Sequence, residues 1–336
     1  MTGLERTTSF LKGQAVDRPP FHPITMRWAA KYAGVKYREF CTDPLTKCMA
    51  MIKCAKDFEI DWVTVMSDPW AEASAFGITV DYPEDSLPVD TGGHLQDAKA
   101  ASLLSKYNPA GSARCNNRLK EIAEFRKQLY DEYFIVGWVE GPVAEYVDLR
   151  GATGASLDFL LEPDAVQKAM DVITESAIDF ITLQINEGAH CIGIGDAFCS
   201  QIGPELYSRF AFGRQKHIVD HIHKSGALAK LHICGNTEAI LPQMIATGAD
   251  IIDIDHLVPS MIGFAELLSM HQVFSGKADP VSVIQNGTIN EIRKEVQDDF
   301  MQAKGRCIVS AGCEITPGTT VDNMIAFRTA AAQLLN

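Results

Sequence analysis

Eight short apolar or β-branched runs, most of them separated by longer stretches with helical spacing, constrain this chain more than any other feature. The runs are Phe21–Met26, Trp62–Ser67, Phe134–Val139, Cys191–Gly195, Leu228–Ile233, Ile251–Asp255, Val273–Gly276 and Cys307–Ala311, and their length and composition are those of strands. Between them, Pro44–Asp57, Pro163–Gln184, Pro204–Lys224, Glu238–Ala246, Thr288–Lys304 and Val321–Leu335 carry apolar residues at helical intervals. Proline at 44, 163 and 204 suits a first helical turn, and Thr288 precedes Glu291 at capping-box spacing. Eight strands, each usually followed by a helix, is the count for an α/β protein built as a closed parallel (β/α)8 barrel, the TIM-barrel arrangement. The 336 residues would make about two domains at ~150 residues each, but such a barrel uses that length as one. Residues 1–336 are therefore expected to form one barrel domain, with residues 77–118, rich in Pro, Gly and Ser, as an insertion after the second strand. A doubly wound open sheet is the rival, but Gly193-Ile-Gly195 lacks the third glycine of a dinucleotide loop.

Charge and composition exclude several function classes. Apolar residues make up 46% and charged residues 22%, which is globular composition. Thirty Lys and Arg stand against 43 Asp and Glu, a formal charge of −13 that argues against a nucleic-acid or acidic-membrane surface. No apolar run is long enough to span a bilayer. The start, Met1-Thr-Gly-Leu-Glu-Arg, lacks the basic-then-apolar order of a signal peptide, so a cytoplasmic protein is expected. Its nine cysteines are odd in number and spread through the chain, which favours reduced thiols, some of them metal-bound, over a disulfide framework.

In a parallel barrel the chemistry collects where strands end and loops begin. Those positions here are Arg27, Asp68, Glu140, Asp196, His232 with Cys234, Asp255, Lys277 and Cys313, more ionisable groups than solubility requires. His232-Ile-Cys234 is the sharpest signal, because residues i and i+2 of a strand face one way and would bring imidazole and thiol together. Cys313 follows the eighth strand, across the barrel mouth from the fifth. One His and two Cys form the three-ligand set of a catalytic zinc with an open fourth position. The plainer alternative is a buried core cysteine beside a hydrogen-bonded histidine. Cys199, in the loop after the fourth strand, is the one further cysteine placed to close such a site.

These residues resemble the uroporphyrinogen decarboxylase superfamily over nearly the whole chain. Arg18-Pro-Pro-Phe with Met26-Arg27-Trp-Ala-Ala-Lys31-Tyr32 is similar to its arginine-rich first segment, and Asp61-Trp-Val-Thr-Val-Met-Ser-Asp68 to its second strand. Glu140-Gly-Pro142 with Tyr146 and Gly151, and Gly195-Asp196 before Ile202-Gly-Pro204, match further segments. Two departures matter: Gly312-Cys313-Glu314 replaces a Gly-His-Gly segment, and Lys31 replaces the second arginine. His232-x-Cys234 with Cys313-Glu-Ile-Thr-Pro317, Gly276-Lys277-Ala-Asp-Pro and Gln285-Asn-Gly-Thr288 resemble instead the superfamily's zinc-dependent corrinoid methyltransferase branch, which includes methylcobamide:coenzyme M methyltransferases.

That resemblance implies methyl transfer between a small molecule, as methylated donor or thiol acceptor, and the cobalt of a corrinoid (cobalamin) carried by a partner protein. Zn2+ would be held by His232, Cys234 and Cys313, with Asp68, Glu140 and Asp196 as the pool of catalytic carboxylates. Arg27 and Lys31 would hold a substrate anion, or else pair with Asp68 or Glu39; Tyr146, Asp255 and Lys277 complete the substrate-binding candidates. Neither nucleic acid nor membrane is expected as a partner, and a homodimer is left open. The competing functions are a porphyrinogen decarboxylase and a non-catalytic zinc- or corrinoid-binding subunit.

Overall fold

A computed structural model describes residues 1–335. Its strands among these residues are β1 (Trp62–Thr64), β2 (Thr79–Asp81), β3 (Val89–Gly92), β4 (Phe134–Glu140), β5 (Cys191–Gly195), β6 (Leu228–Ile233), β7 (Ile251–Ile254), β8 (Val273–Ala278) and β9 (Cys307–Ala311). All but β2 and β3 form one parallel sheet in the order β1-β4-β5-β6-β7-β8-β9, curled close to a TIM barrel. Parallel neighbours need crossover connections, and long helices such as Ala113–Leu129, Pro163–Asn186 and Ile289–Gln302 supply them.

The expected first strand, Phe21–Met26, is reduced to two isolated bridges, Phe21 to Val309 and Ile24 to Glu314. Pro19, Pro20 and Pro23 explain this, since each removes a backbone donor from the ladder. The segment still closes the ring. His22 N donates to Val309 O at 2.9 Å on the β9 side, and Asp61 N donates to Phe21 O at 3.0 Å on the β1 side. Met26 then opens the helix Met26–Ala33, so Arg27 and Lys31 stand on a helix above the closure.

The interior is layered. Trp62, Phe134, Val136, Cys191, Ile251, Val273 and Ile308 fill the lower barrel, and Leu11 from the first helix packs beneath them. Above them the inward positions become polar, with Lys230, His232 and Asp253 all buried. Between β1 and the helix Ala113–Leu129 lie the antiparallel β2–β3 pair and the short helix Ala98–Ala101. That crossover helix begins at Ala113, so the added structure ends near Ser112 rather than at residue 118. The expected helix 238–246 begins only at Leu241, and the expected helix 204–224 starts at Pro204, just after non-helical Gly203, but carries a π-helical turn, Tyr207–Phe212.

Candidate metal centre

His232 is the fifth residue of β6, and Cys234 follows the strand directly. His232 Nε2 lies 2.9 Å from Cys234 Sγ, and Cys234 Sγ lies 3.6 Å from Cys313 Sγ, just past the end of β9. The three ligand atoms lie within 4.8 Å of one another, and no other group of His, Cys, Asp or Glu among the described residues converges so closely. Two thiolates that share a tetrahedral zinc at ~2.3 Å stand roughly 3.8 Å apart, so the sulfur separation fits that ion. Both cysteines are partly exposed while His232 is buried, which leaves the open side toward the mouth.

The protons of this cluster sit where a cation would. The hydrogen bond from Cys234 holds the Cys313 thiol down at about 4, against its burial and with help from His232. The same bond, with burial, pushes Cys234 above the ordinary thiol range. Burial would lower the His232 imidazolium, but Asp253 and the Cys313 thiolate outweigh it and raise it to about 9. A metal replaces these protons, because the ligands bind as thiolate and neutral imidazole.

Two aspartates of the β7 segment hold the ligands in place. Asp253 Oδ2 is 2.9 Å from His232 Nδ1 and 2.8 Å from Lys230 Nζ. These are ion-pair distances, although the angles are poor for hydrogen bonds. Asp255 Oδ2 accepts from Gly235 N at 2.8 Å, which anchors the turn that carries Cys234. A Cβ on Gly312 would lie 2.9 Å from the Asp255 carbonyl carbon, so the Cys313 loop packs on the same segment. Asp255 thus ties the two ligand loops together.

The other expected site residues divide sharply. Asp68 is buried and bound to Arg114 and Ser67. Asp196 is fully buried, accepts from Ala144 N and Gln215 Nε2 at 2.7 Å each, and so fixes the turn into the helix Pro142–Arg150. Both carboxylates are committed to loop geometry, which leaves Glu140 as the partly exposed member of the expected pool. Tyr146 is buried, with its hydroxyl donating to Asp158 at 2.9 Å, and does not face the mouth as a substrate-binding group. Lys277 lies within β8, beyond Gly276 at φ 103°, and its ammonium is 3.4 Å from Asp299 of the helix Ile289–Gln302. It stands next to last in β8, but its side chain joins strand to helix.

Arg27 pairs with Glu314, at 3.2 Å, and not with Asp68 or Glu39. Lys31 donates to Pro317 O at 2.7 Å. Both line a cavity of about 400 Å³ with Lys36 and Tyr37, beside the Cys313 loop. Cys199 is buried, 3.7 Å from Gln215 Nε2, and is no part of the cluster.

Sequence reasoning passed over Asp253 and Lys230, although each stands two residues from a singled-out position and so shares its strand face. It also passed over Glu72, Arg114 and Arg118. Arg114 and Arg118 sit four apart on one helical face, and Arg118 Nη1 meets Glu72 Oε2 at 2.9 Å. Helical spacing shows that such residues share a face but not which strand end that face covers.

Fold and ligand set together define a parallel-barrel protein with a candidate zinc-type centre at the C-terminal ends of its strands. The sequence profile of uroporphyrinogen decarboxylase (URO-D) matches residues 2–334, and the chain belongs to that family. It is 27% identical to a uroporphyrinogen decarboxylase of Parasynechococcus marenigrum (strain WH8102) over 335 residues, 94% of this chain and 92% of that protein. In structure it is similar to a methyltransferase from Methanosarcina mazei, with a TM-score of 0.89 at 21% identity and full coverage of both chains. A B12-independent methionine synthase from Shewanella sp. W3-18-1 matches with a TM-score of 0.60 at 13% identity, over 95% of this chain and 96% of that one.

Proposed function

We propose that this chain is a zinc-dependent methyltransferase that moves a methyl group between a small molecule and the cobalt of a corrinoid carried by a partner protein. The observation that carries the reading is the convergence of His232, Cys234 and Cys313 at the barrel mouth, with one side open. The likeness in fold to the Methanosarcina methyltransferase agrees with it. Zinc held there would supply Lewis acidity toward the heteroatom of a methyl donor, or would keep a substrate thiol deprotonated. Two thiolates and one imidazole leave the ion nearly neutral, which preserves the nucleophilicity of such a thiolate.

The chain's own groups then do the rest. Asp253 orients the His232 ring and keeps Nε2 on the metal side. Asp255 and Gly312 hold the two cysteine loops at a fixed separation. Lys31 at the neighbouring cavity, with its ammonium on the Pro317 carbonyl rather than on a carboxylate, suits an anionic end of the substrate.

The curated relatives carry the decarboxylase name, which makes porphyrinogen decarboxylation the second reading. Against it, the arginines near the mouth are already paired: Arg27 with Glu314, Arg114 with Asp68 and Arg118 with Glu72. Few cations are left to meet a substrate with many carboxylates.

A purified sample separates the possibilities. The expected result is about one zinc per chain, with methyl transfer either from free methylcobalamin to a thiol or from a methylated donor to reduced cobalamin. A zinc-free protein that decarboxylates uroporphyrinogen overturns the proposal. Zinc without methyl transfer in either direction would leave a binding subunit.

A further inference from the structure

Glu140 has an unusual setting that the metal centre alone does not explain. It ends β4, and the register places it opposite Gly195 of β5, which in turn lies opposite His232 of β6. Residues in register on parallel strands share a face, so Glu140 and His232 point into the barrel in one layer. Two strand spacings separate them, roughly 10 Å between backbones. Gly195 carries no side chain, and the room it leaves between them is shared by the Trp138 indole, whose ring centroid lies 6.3 Å from that of His232, and the Glu140 carboxyl. A Cβ there would lie 2.6 Å from Trp138 Cζ2 and 3.2 Å from Glu140 Oε2. The carboxyl therefore leans over Gly195 toward the metal-ligand side, steadied by Trp138 Nε1 donating to Oε1 at 2.9 Å.

Resting on the zinc-methyltransferase reading, we infer that Glu140 is the proton donor to the leaving atom of an oxygen-bound methyl donor, a methyl ether or methanol. The balance is simple. The C–O bond breaks with its electron pair on oxygen, the oxygen takes the Glu140 proton and departs as an alcohol or phenol from an ether, or as water from methanol, and the methyl group passes to the cobalt(I) nucleophile of the corrinoid. Glu140 is left as carboxylate and is reprotonated from solvent. Donors that leave as neutral sulfide or tertiary amine need no proton, and a thiol acceptor needs to lose one, so a positioned acid selects oxygen.

The surroundings keep that acid charged with its proton. Glu72 on the helix Trp70–Phe76 accepts from Glu140 N at 3.0 Å, and Glu145 and Asp148 face it from the helix Pro142–Arg150. Arg118 is the one cation acting on the cluster among these, and it is already paired with Glu72. Burial, then Glu72 and Asp148, raise Glu140 well above the carboxylate range, against Arg118 and the Trp138 bond. Glu145 is buried, and neither of its carboxylate oxygens has a hydrogen-bond partner, which is the setting of a neutral acid. A carboxylic acid that stays protonated near neutral pH can serve as a general acid, typically worth 10²–10⁴ in rate.

The test uses the zinc-loaded chain, titanium(III)-reduced cobalamin as acceptor, and methanol, anisole and 4-nitroanisole as donors. The wild type is expected to demethylate oxygen donors. Glu140→Gln should keep its zinc and lose about a hundredfold in rate with anisole, but much less with 4-nitroanisole, whose leaving phenolate needs little help. Glu140→Asp should recover part of the loss. Independently, infrared difference spectra at neutral pH should show a protonated carboxyl band that Glu140→Gln removes. Equal loss on both ethers, loss of zinc from Glu140→Gln, or no such band overturns the inference. So does a wild type that accepts only sulfur or nitrogen donors or only methylates thiols, although the methyltransferase reading then stands. A wild type inactive in both directions sinks that reading instead.

Discussion

His232 stands between two unlike partners, with Nε2 2.9 Å from Cys234 Sγ and Nδ1 2.9 Å from Asp253 Oδ2. The carboxylate fixes which nitrogen is free for a metal and raises the basicity of the ring. Lys230, 2.8 Å from the same oxygen, neutralises the buried charge that this arrangement requires. Such outer partners are typically worth 10–100-fold in metal affinity. Asp253→Asn is therefore expected to weaken zinc binding by about that factor, measured by competition with a chromophoric chelator. An unchanged affinity would show that Asp253 serves only to pair Lys230.

Cysteine substitutions test the ligand set itself. Cys313→Ala and Cys234→Ala should each lose the metal by elemental analysis, whereas Cys199→Ala, whose thiol lies beside Gln215, should keep it. X-ray absorption at the zinc edge should find two sulfurs before substrate and a changed shell once thiol is added. Circular dichroism of Cys313→Ala should remain native, because a chain of this length buries a core large enough to fold without the ion.

The carboxylates around Glu72 predict a slope of stability with pH. Burial, then Glu72, Asp90 and Asp196, push Asp148 up to about 8, and burial pushes Asp196 up to about 6. An acid whose folded pKa is raised binds its proton more tightly in the folded state. Its contribution is complete below the ordinary carboxylate pKa and is lost as pH rises through the folded value. Stability in urea should thus fall between about pH 5 and pH 8. Glu145 is raised in the same way, so Glu145→Gln should flatten the slope and leave stability at pH 5 nearly unchanged. A steeper slope in that variant would mean that Glu145 is ionised in the native protein.

Arg118 is the counterweight to that cluster. It is wholly buried, donating to Glu72 at 2.9 Å and to the Asp68 carbonyl at 2.8 Å. Arg118→Met should cost about 3–5 kcal/mol, since removing one partner strands a buried charge. Adding Glu72→Gln should recover part of that cost, and a double-mutant cycle in denaturant measures it. Strict additivity would show that the pair is not coupled.

The barrel and the meeting of His232, Cys234 and Cys313 were legible in the sequence. Short apolar runs mark the strands, the two-residue period sets the side on which His232 and Cys234 emerge, and Cys313 needs only the strand count to fall at the same mouth. The same rule, applied two residues to either side, also reaches Lys230 and Asp253. It misleads where the backbone departs from it. Pro23 interrupts the first ladder, and beyond Gly276 at φ 103° Lys277 reaches a helix instead of the mouth. Asp196 reads as a site residue because it follows β5, and Tyr146 because the family resemblance covers it, yet tertiary hydrogen bonds bury both. Glu140 reads from the sequence as a strand-end carboxylate, but its lean does not, because that depends on Trp138 packing over Gly193 and Gly195 of the neighbouring strand.

Those positions offer the last prediction. Gly195 has no unusual dihedral that demands glycine; its role is to leave room for Trp138 and the Glu140 carboxyl. In Gly195→Ala the methyl group would sit 2.6 Å from the indole, too close for van der Waals contact, so the Trp138 ring must move. Overpacking of this kind typically costs about 1–3 kcal/mol. The indole is 3% exposed, and its displacement should shift tryptophan fluorescence, while the His232, Cys234 and Cys313 ligands, which lie on other segments, should still bind zinc with wild-type stoichiometry. The combination expected is a lower denaturation midpoint, altered fluorescence and one zinc per chain. Wild-type stability with unshifted fluorescence would show that the Trp138 pocket has slack and that Gly195 does not set the position of Glu140.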